Sequence, residues 1–180
     1  MKLVQVTPPS SEPLSVADAK AFMRVSHDLD DTLIGSLIST ARKRAEDITN
    51  RSLASATWAL YFDAKPSGRF ELPKPPLVSV SSVRGLISGV WEDLSHSLDD
   101  KADPATLLID DERQVDDEIN SVAVEYTSGY VTLPDAILTW MKVMVSTWYE
   151  QRETFTERSI ENLPRTFVDC LLDSYRVRIV

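Results

Sequence analysis

Residues 30–51 read DDTLIGSLISTARKRAEDITNR and residues 57–62 read TWALYF. The change of period between these two stretches decides the fold class. In the first, Ile34, Leu37, Ile38, Ala41, Ala45 and Ile48 recur at the three- and four-residue spacing that lines one face of an α-helix. Acidic residues crowd its start, where the helix dipole favours negative charge, and Asp28 or Asp30 is placed to accept from the first unpaired N–H groups. Arg42, Lys43 and Arg44 fall late in the helix, where positive charge is favoured, and the pattern closes on Asn50-Arg51. In the second stretch Trp58, Leu60 and Phe62 alternate with Thr57, Ala59 and Tyr61, the period of a strand with one face in a core.

Upstream, Pro8, Pro9 and Pro13 with Ser10 and Ser11 make residues 1–13 an extended arm. Ser15, with Asp18 three residues on, caps a first helix running to about Arg24. Downstream, period-2 runs continue from 55 to 127: Phe70 and Leu72 alternate with Arg69 and Glu71, and Val122, Val124 and Tyr126 with Ala123 and Glu125. Lys65-Pro66-Ser67-Gly68 and Ser88-Gly89 are turn material, and the prolines of Leu72-Pro73-Lys74-Pro75-Pro76-Leu77 interrupt the pattern. Residues 95–120 are acidic and read as an exposed, mobile loop, with Leu107, Leu108 and Ile109 as a short strand inside it. Pro134, near the first helical position, opens a helix with the stripe Ile137, Trp140, Met141, Met144, Val145 and Trp148. A charged surface loop over 150–161 leads to Pro164, which opens a last helix with Phe167, Val168, Leu171, Leu172 and Tyr175 on one face. The expected fold is α+β: a helical core of about four helices with an inserted small, mostly antiparallel β-sheet. We expect a single domain over residues 1–180, with an arm at 1–13, a β-rich insertion at 55–127 and a tail at 176–180.

The composition, 43% hydrophobic and 26% charged, is that of a folded globular chain. A net charge of −9 and a pI near 4.7 give a field that repels nucleic acid as a whole. The one cysteine, Cys170, excludes an internal disulfide and is expected to be a buried thiol beside Leu171 and Leu172. Pro8-Pro9 ends the first apolar run too early for a signal sequence, and no run reaches the roughly 18 residues of a membrane span. The expectation is a chain made and kept in the cytoplasm until it joins a partner, with no membrane contact.

Chemistry is hard to find. The five glycines, at 35, 68, 85, 89 and 129, form no phosphate-cradling loop. His27 and His96 lie in no metal-ligand spacing and read as solvated surface residues. Counting from Asp28, a calcium loop needs glycine at its sixth position, where Leu33 stands; Asp28, Asp30 and Asp31 therefore read as helix-capping residues. The acids from Asp110 to Glu118 read as a solvated loop rather than a cation site. Trp140, Trp148 and Tyr149 read as core rather than a base-stacking platform. No catalytic residue, cofactor or metal is expected.

The ordered set of residues carries a resemblance. Leu14-Ser15, Ala17, Lys20, Arg24-Val25, Asp28-x-Asp30-Asp31, Leu33-Ile34, Ala41-Arg42, Ala45-Glu46, Thr49 and Arg51 come first; Thr57-Trp58, Leu72-Pro73 and Pro75-Pro76-Leu77 follow. Val124-x-Tyr126-Thr127-x-Gly129-Tyr130, Pro134, Trp148-Tyr149, Arg152-Glu153 and Leu163-Pro164 complete it. From about residue 13 to 176 the chain resembles the head-tail connector (adaptor) proteins of tailed phages, prophages and gene transfer agents. The resemblance implies a ring of about twelve copies below the portal, extending the DNA channel and docking the neck or tail-completion protein. It places the protein in the virion at the head-tail junction, with DNA passing through the channel without specific binding. The long acidic stretch from about 91 to 120 departs from the pattern.

On this reading Tyr175, Arg176, Val177, Arg178, Ile179 and Val180 are the expected portal interface. Arg42, Lys43, Arg44 and Arg51 are the expected contact between neighbouring copies. The alternative is a DNA-packaging accessory protein using the same four cations as a basic groove, with steeply salt-dependent binding. A small hydrolase using His27 or His96 is a third reading.

Overall fold

The computed structural model describes residues 1–116, 118, 120–151 and 165–177. They form two compact units: Met1–Ser11 with Ala54–Val131, and Glu12–Leu53 with the residues from Thr132 onward. The first is all β, the second all α, so the α+β expectation is met with the strands and helices segregated.

The β unit contains β1 (Lys2–Thr7), β2 (Ala56–Phe62), β3 (Arg69–Glu71), β4 (Leu77–Ile87), β5 (Val90–Asp93), β6 (His96–Asp99), β7 (Thr106–Ile109) and β8 (Val122–Ser128). Every pairing is antiparallel, in a five-stranded sheet ordered β1-β2-β8-β4-β5 and a three-stranded sheet ordered β3-β7-β6. Alternation puts Trp58, Leu60 and Phe62 on one face, opposite Tyr126, Val124 and Val122. On β4, Val80 and Val83 face Tyr126 and Val124. This face closes on Leu72, Leu94, Leu107, Ile109 and Val115 to form the core. Tyr126 is fully buried at its centre; its hydroxyl donates to the Pro73 carbonyl (2.9 Å), and burial pushes its pKa up.

Two expectations change here. The N-terminal arm is, over Lys2–Thr7, an edge strand of the chain's own sheet, paired with β2. The acidic stretch 95–120 is largely structured: β7 includes the expected Leu107–Ile109, β6 pairs with it, and Leu107, Ile109, Asp111 and Val115 are buried. Abundant acids hid the alternating Ala105, Leu107 and Ile109, which carry the burial. The acids find donors nearby. Asp116 accepts from the Ser88 and Gly89 N–H groups at the tip of the β4–β5 hairpin (3.0 and 2.8 Å), and Asp110 accepts from the Ser97 hydroxyl (2.9 Å).

Asp111 is the most strongly held. Its carboxylate accepts from the Arg113 guanidinium (2.6 and 2.9 Å) and from the Ser95 and Arg113 backbone N–H groups (both 3.0 Å). The Arg113 hydrogen bonds, then the two backbone donors, hold its pKa well below the usual carboxylate range. A depressed folded pKa contributes stability that is present above the unfolded value, about 3.9, and is lost as pH falls through the folded value. Asp111→Asn should therefore be less stable than wild type at pH 7. Denaturant titrations should show the gap narrowing as pH drops below about 4. A gap that does not change with pH would contradict this account.

The helical unit contains α1 (Val16–Met23), α2 (Asp31–Thr49), α3 (Asp135–Glu150) and α4 (Arg165–Asp173). Ser15 caps α1 as expected: its Oγ accepts from the Asp18 N–H (3.0 Å) and donates to the Asp18 carboxylate (2.6 Å). On α2, Ile34, Ile38, Ala41, Ala45 and Thr49 are buried, along with Arg42. Asp30, at the N-cap position of this helix, makes no side-chain cap hydrogen bond. Asp30 instead accepts from the Tyr149 hydroxyl (2.6 Å), and Asp28 accepts from Lys20.

Pro134 stands at the cap position of α3 rather than inside it. Ile137, Trp140, Met141 and Val145 are buried as the stripe predicts, and Trp140 donates its indole N–H to Asp169 on α4 (3.0 Å). Cys170 is exposed, contrary to expectation. Val168 and Leu172 share α4's inward side, and Cys170, two residues from each, lies about 200° round the helix from both. The surface loop over 150–161, the side chain of Phe167, and Arg178, Ile179 and Val180 fall outside the described residues beyond Gln151.

Candidate functional site

The four cations expected to share a surface do not share an environment. Arg42 is 5% exposed. Its Nε and one terminal nitrogen donate to Glu12 (2.7 and 3.3 Å), and its other terminal nitrogen donates to Glu46 one turn on (2.8 Å). Glu46 also accepts from the Leu53 N–H (2.9 Å). The cluster thus ties the segment before α1 and the loop after α2 to the middle of α2. Desolvation opposes the charge on Arg42, but Glu12 and Glu46 outweigh it and raise its pKa. Lys43 and Arg44, by contrast, are exposed.

Arg51 is also buried, and it meets the other expected interface. Its Nε donates to the Tyr175 carbonyl (2.7 Å). Beside it the Thr49 carbonyl accepts from the Val177 N–H (2.9 Å), and the Asn50 side-chain amide donates to the Val177 carbonyl (3.1 Å). The chain leaving α4 is therefore strapped to the C-terminal end of α2. From the sequence, Thr49 and Asn50 read only as part of the helix and its closure, not as contacts for the chain leaving α4. Asn50 adopts a left-handed conformation (φ 57°), which asparagine tolerates at a helix end, and the Asn50-Arg51 closure was the visible signal.

His27 and His96 are both exposed, as expected. The Lys20 ammonium sits between Asp28 and Asp31, with 2.8 Å to Asp31. These hydrogen bonds, Asp28's first, raise the Lys20 pKa, and Lys20 in turn lowers that of Asp28. The acids at the start of α2 thus hold a side-chain cation. Among the described residues no group of three or more histidine, cysteine or acidic side chains is placed to hold a metal. None of the described helices is long and apolar enough to cross a membrane.

Residues 13–85 match the family model of phage gp6-like head-tail connector proteins. The match is a similarity over that segment, which lies in the front half of the chain. It holds α1, α2, β2, β3 and most of β4, and so includes the Arg42 cluster and the Asn50-Arg51 end of the strap. Likeness of fold extends beyond the matched segment. A chain from the neck of an empty gene transfer agent particle, computed with C6 symmetry, is 20% identical with a TM-score of 0.76. A chain from the virion of a native gene transfer agent particle is 21% identical with a TM-score of 0.73. A third, from the neck of a native particle computed with C12 symmetry, is 19% identical with a TM-score of 0.71. Each match covers 100% of this chain and 98% of the other. No curated protein matches the sequence.

Proposed function

We propose that this chain is a structural head-tail connector (adaptor) of a tailed phage or phage-like particle. Copies form a ring under the portal, extend the DNA channel and give the neck or tail-completion protein its landing surface. The observation that carries this reading is the connector-family match over residues 13–85, in a chain whose whole fold is that of gene transfer agent neck chains. It acts by assembly, with no turnover, cofactor or metal. It is made in the bacterial host's cytoplasm and ends at the head-tail junction. A net charge of −9 suits a channel wall along which DNA slides without sticking. A ring of twelve fits the resemblance, and the C12 symmetry of one related neck is compatible with it.

The portal contact is the chain end, Tyr175 to Val180. The contact between copies lies on α2, where Lys43 and Arg44 are exposed while Arg42 and Arg51 support the fold behind them. Lys43→Glu with Arg44→Glu should leave folding within about 0.5 kcal/mol of wild type, as surface changes usually do. The same pair should abolish rings on the portal, scored by electron microscopy. Normal rings would remove α2 from the interface. Retention on DNA that falls steeply with salt would instead favour a packaging role.

A further inference from the structure

The five-stranded sheet ends in two open edges: among the described residues no strand pairs with the outer side of β1 or of β5. Proteins usually blunt such edges with charge, proline or a covering segment. Here Leu3, Val4 and Gln5 carry neither charge nor proline, Val4 and Val6 are exposed, and so are Val90 and Trp91 on β5. The Leu94 N–H donates to the Val83 carbonyl across the β4–β5 pair (2.9 Å), so alternation turns the backbone groups of Trp91 and Asp93 to the open side. There the Arg113 guanidinium takes the Asp93 carbonyl (2.5 Å). On β8 the Ser121 carbonyl faces β4, accepting from the Leu86 N–H (2.8 Å). Alternation then points Val122, Val124 and Tyr126 at β2, and Ala59 and Tyr61 at β1. Val4 and Lys2 answer these two, which leaves the backbone groups of Leu3 and Gln5 facing out.

Strand direction selects the pairing. All neighbours in this sheet are antiparallel, so β1 and β5, four steps apart, run the same way. Two like edges joined antiparallel make a two-fold pair and go no further. A β5–β5 pair would also bring Glu92 and Asp93 of two copies together, and like charges across strands repel. Joining β5 of one copy to β1 of the next is parallel, head-to-tail and repeatable, the kind of contact that closes a ring. With Val4 beside Trp91, the Trp91 N–H meets the Leu3 carbonyl and the Gln5 N–H meets the Trp91 carbonyl. The two exposed apolar side chains then lie on the same face. We infer that copies join through their β units, β5 of one pairing in parallel with β1 of the next, so that one sheet runs from copy to copy. The inference rests on the reading of this chain as a ring-forming connector, and adds a contact to the one on α2.

The test uses the full chain on the portal protein encoded beside it, in a Cys170→Ser background because that thiol is exposed. Val4→Cys and Asp93→Cys, both at exposed positions, are made singly and together and treated with a short bismaleimide. Rings of the double variant should give a ladder of covalent multimers on a denaturing gel, and each single variant only monomer. A second variant, Gln5→Pro, removes an outward N–H from β1. Proline is tolerated on an edge strand whose N–H faces solvent, so the free chain should keep its unfolding midpoint while ring density on the portal is lost. Rings without a ladder, dimers from either single variant, or normal rings from Gln5→Pro would each overturn the inference and leave the connector reading in place. A wild-type chain that forms no ring on an intact portal would overturn both.

Discussion

Gly129→Ala should destabilise the protein by about 3 kcal/mol or more, through backbone strain and overpacking together. Gly129 follows β8 with φ +145°, a region that side-chain-bearing residues rarely enter. A Cβ there would lie 2.6 Å from the Ala54 carbonyl oxygen and 2.7 Å from Ser55 Cα, both backbone atoms. Neither can swing aside as a side-chain end would. Gly129 also donates its N–H to the Pro76 carbonyl (2.9 Å), so the segment cannot simply shift without breaking a bond in the sheet unit. In urea the midpoint should fall by about 1–2 M, or folding should be lost altogether. Gly68→Ala is the control: φ is also positive (+81°), but nothing lies within 4 Å of the new atom. It should cost only about 1 kcal/mol. Equal effects at the two glycines would contradict the packing around Ala54.

Arg42→Ala should cost about 2–4 kcal/mol, a little under the roughly 3–5 kcal/mol for breaking a fully buried ion pair, because Glu12 keeps some contact with solvent. The loss strands the Glu46 carboxylate, whose side chain is 14% exposed, with the Leu53 N–H as its remaining partner in the cluster. Arg42→Lys should recover less than half, since one ammonium cannot reproduce donation to two carboxylates from a fixed planar fork. Chemical denaturation reads both. An Arg42→Ala variant within about 0.5 kcal/mol of wild type would show the cluster to be incidental. Reversing Arg42 to glutamate is therefore a poor probe of ring contacts, because it attacks the helical unit itself.

Regular periodicity made most of the fold legible. The apolar faces of α2 and α3, the alternation of β2 and β8, and the Ser15 cap each follow from local spacing. What escaped depends on contacts between distant residues. Asp30 was placed to cap α2, yet Tyr149, 119 positions away, takes its carboxylate. Lys2–Thr7 alternates well enough for a strand, but only the open edge of β2 makes it one. In the 95–120 stretch, charge count overrode a short alternation that the core went on to use. Cys170 was judged by its leucine neighbours in sequence, when its angle round α4 decides exposure.

The candidate surfaces divide along the same line. The Arg42–Glu46 pair is visible as an i, i+4 spacing, but the contribution of Glu12 is not. That Arg51 and the chain end meet required the helices to be packed. Of the four cations grouped by sequence proximity, helix geometry turns Arg42 inward and leaves Lys43 and Arg44 outside.

The most direct test of the connector role is cryo-electron microscopy of the full chain mixed with the portal protein encoded beside it, with portal alone as control. The account predicts an added ring of density at the narrow end of the portal, into which copies of this two-unit fold can be placed. An intact portal that gains no density under saturating amounts of the chain would contradict it.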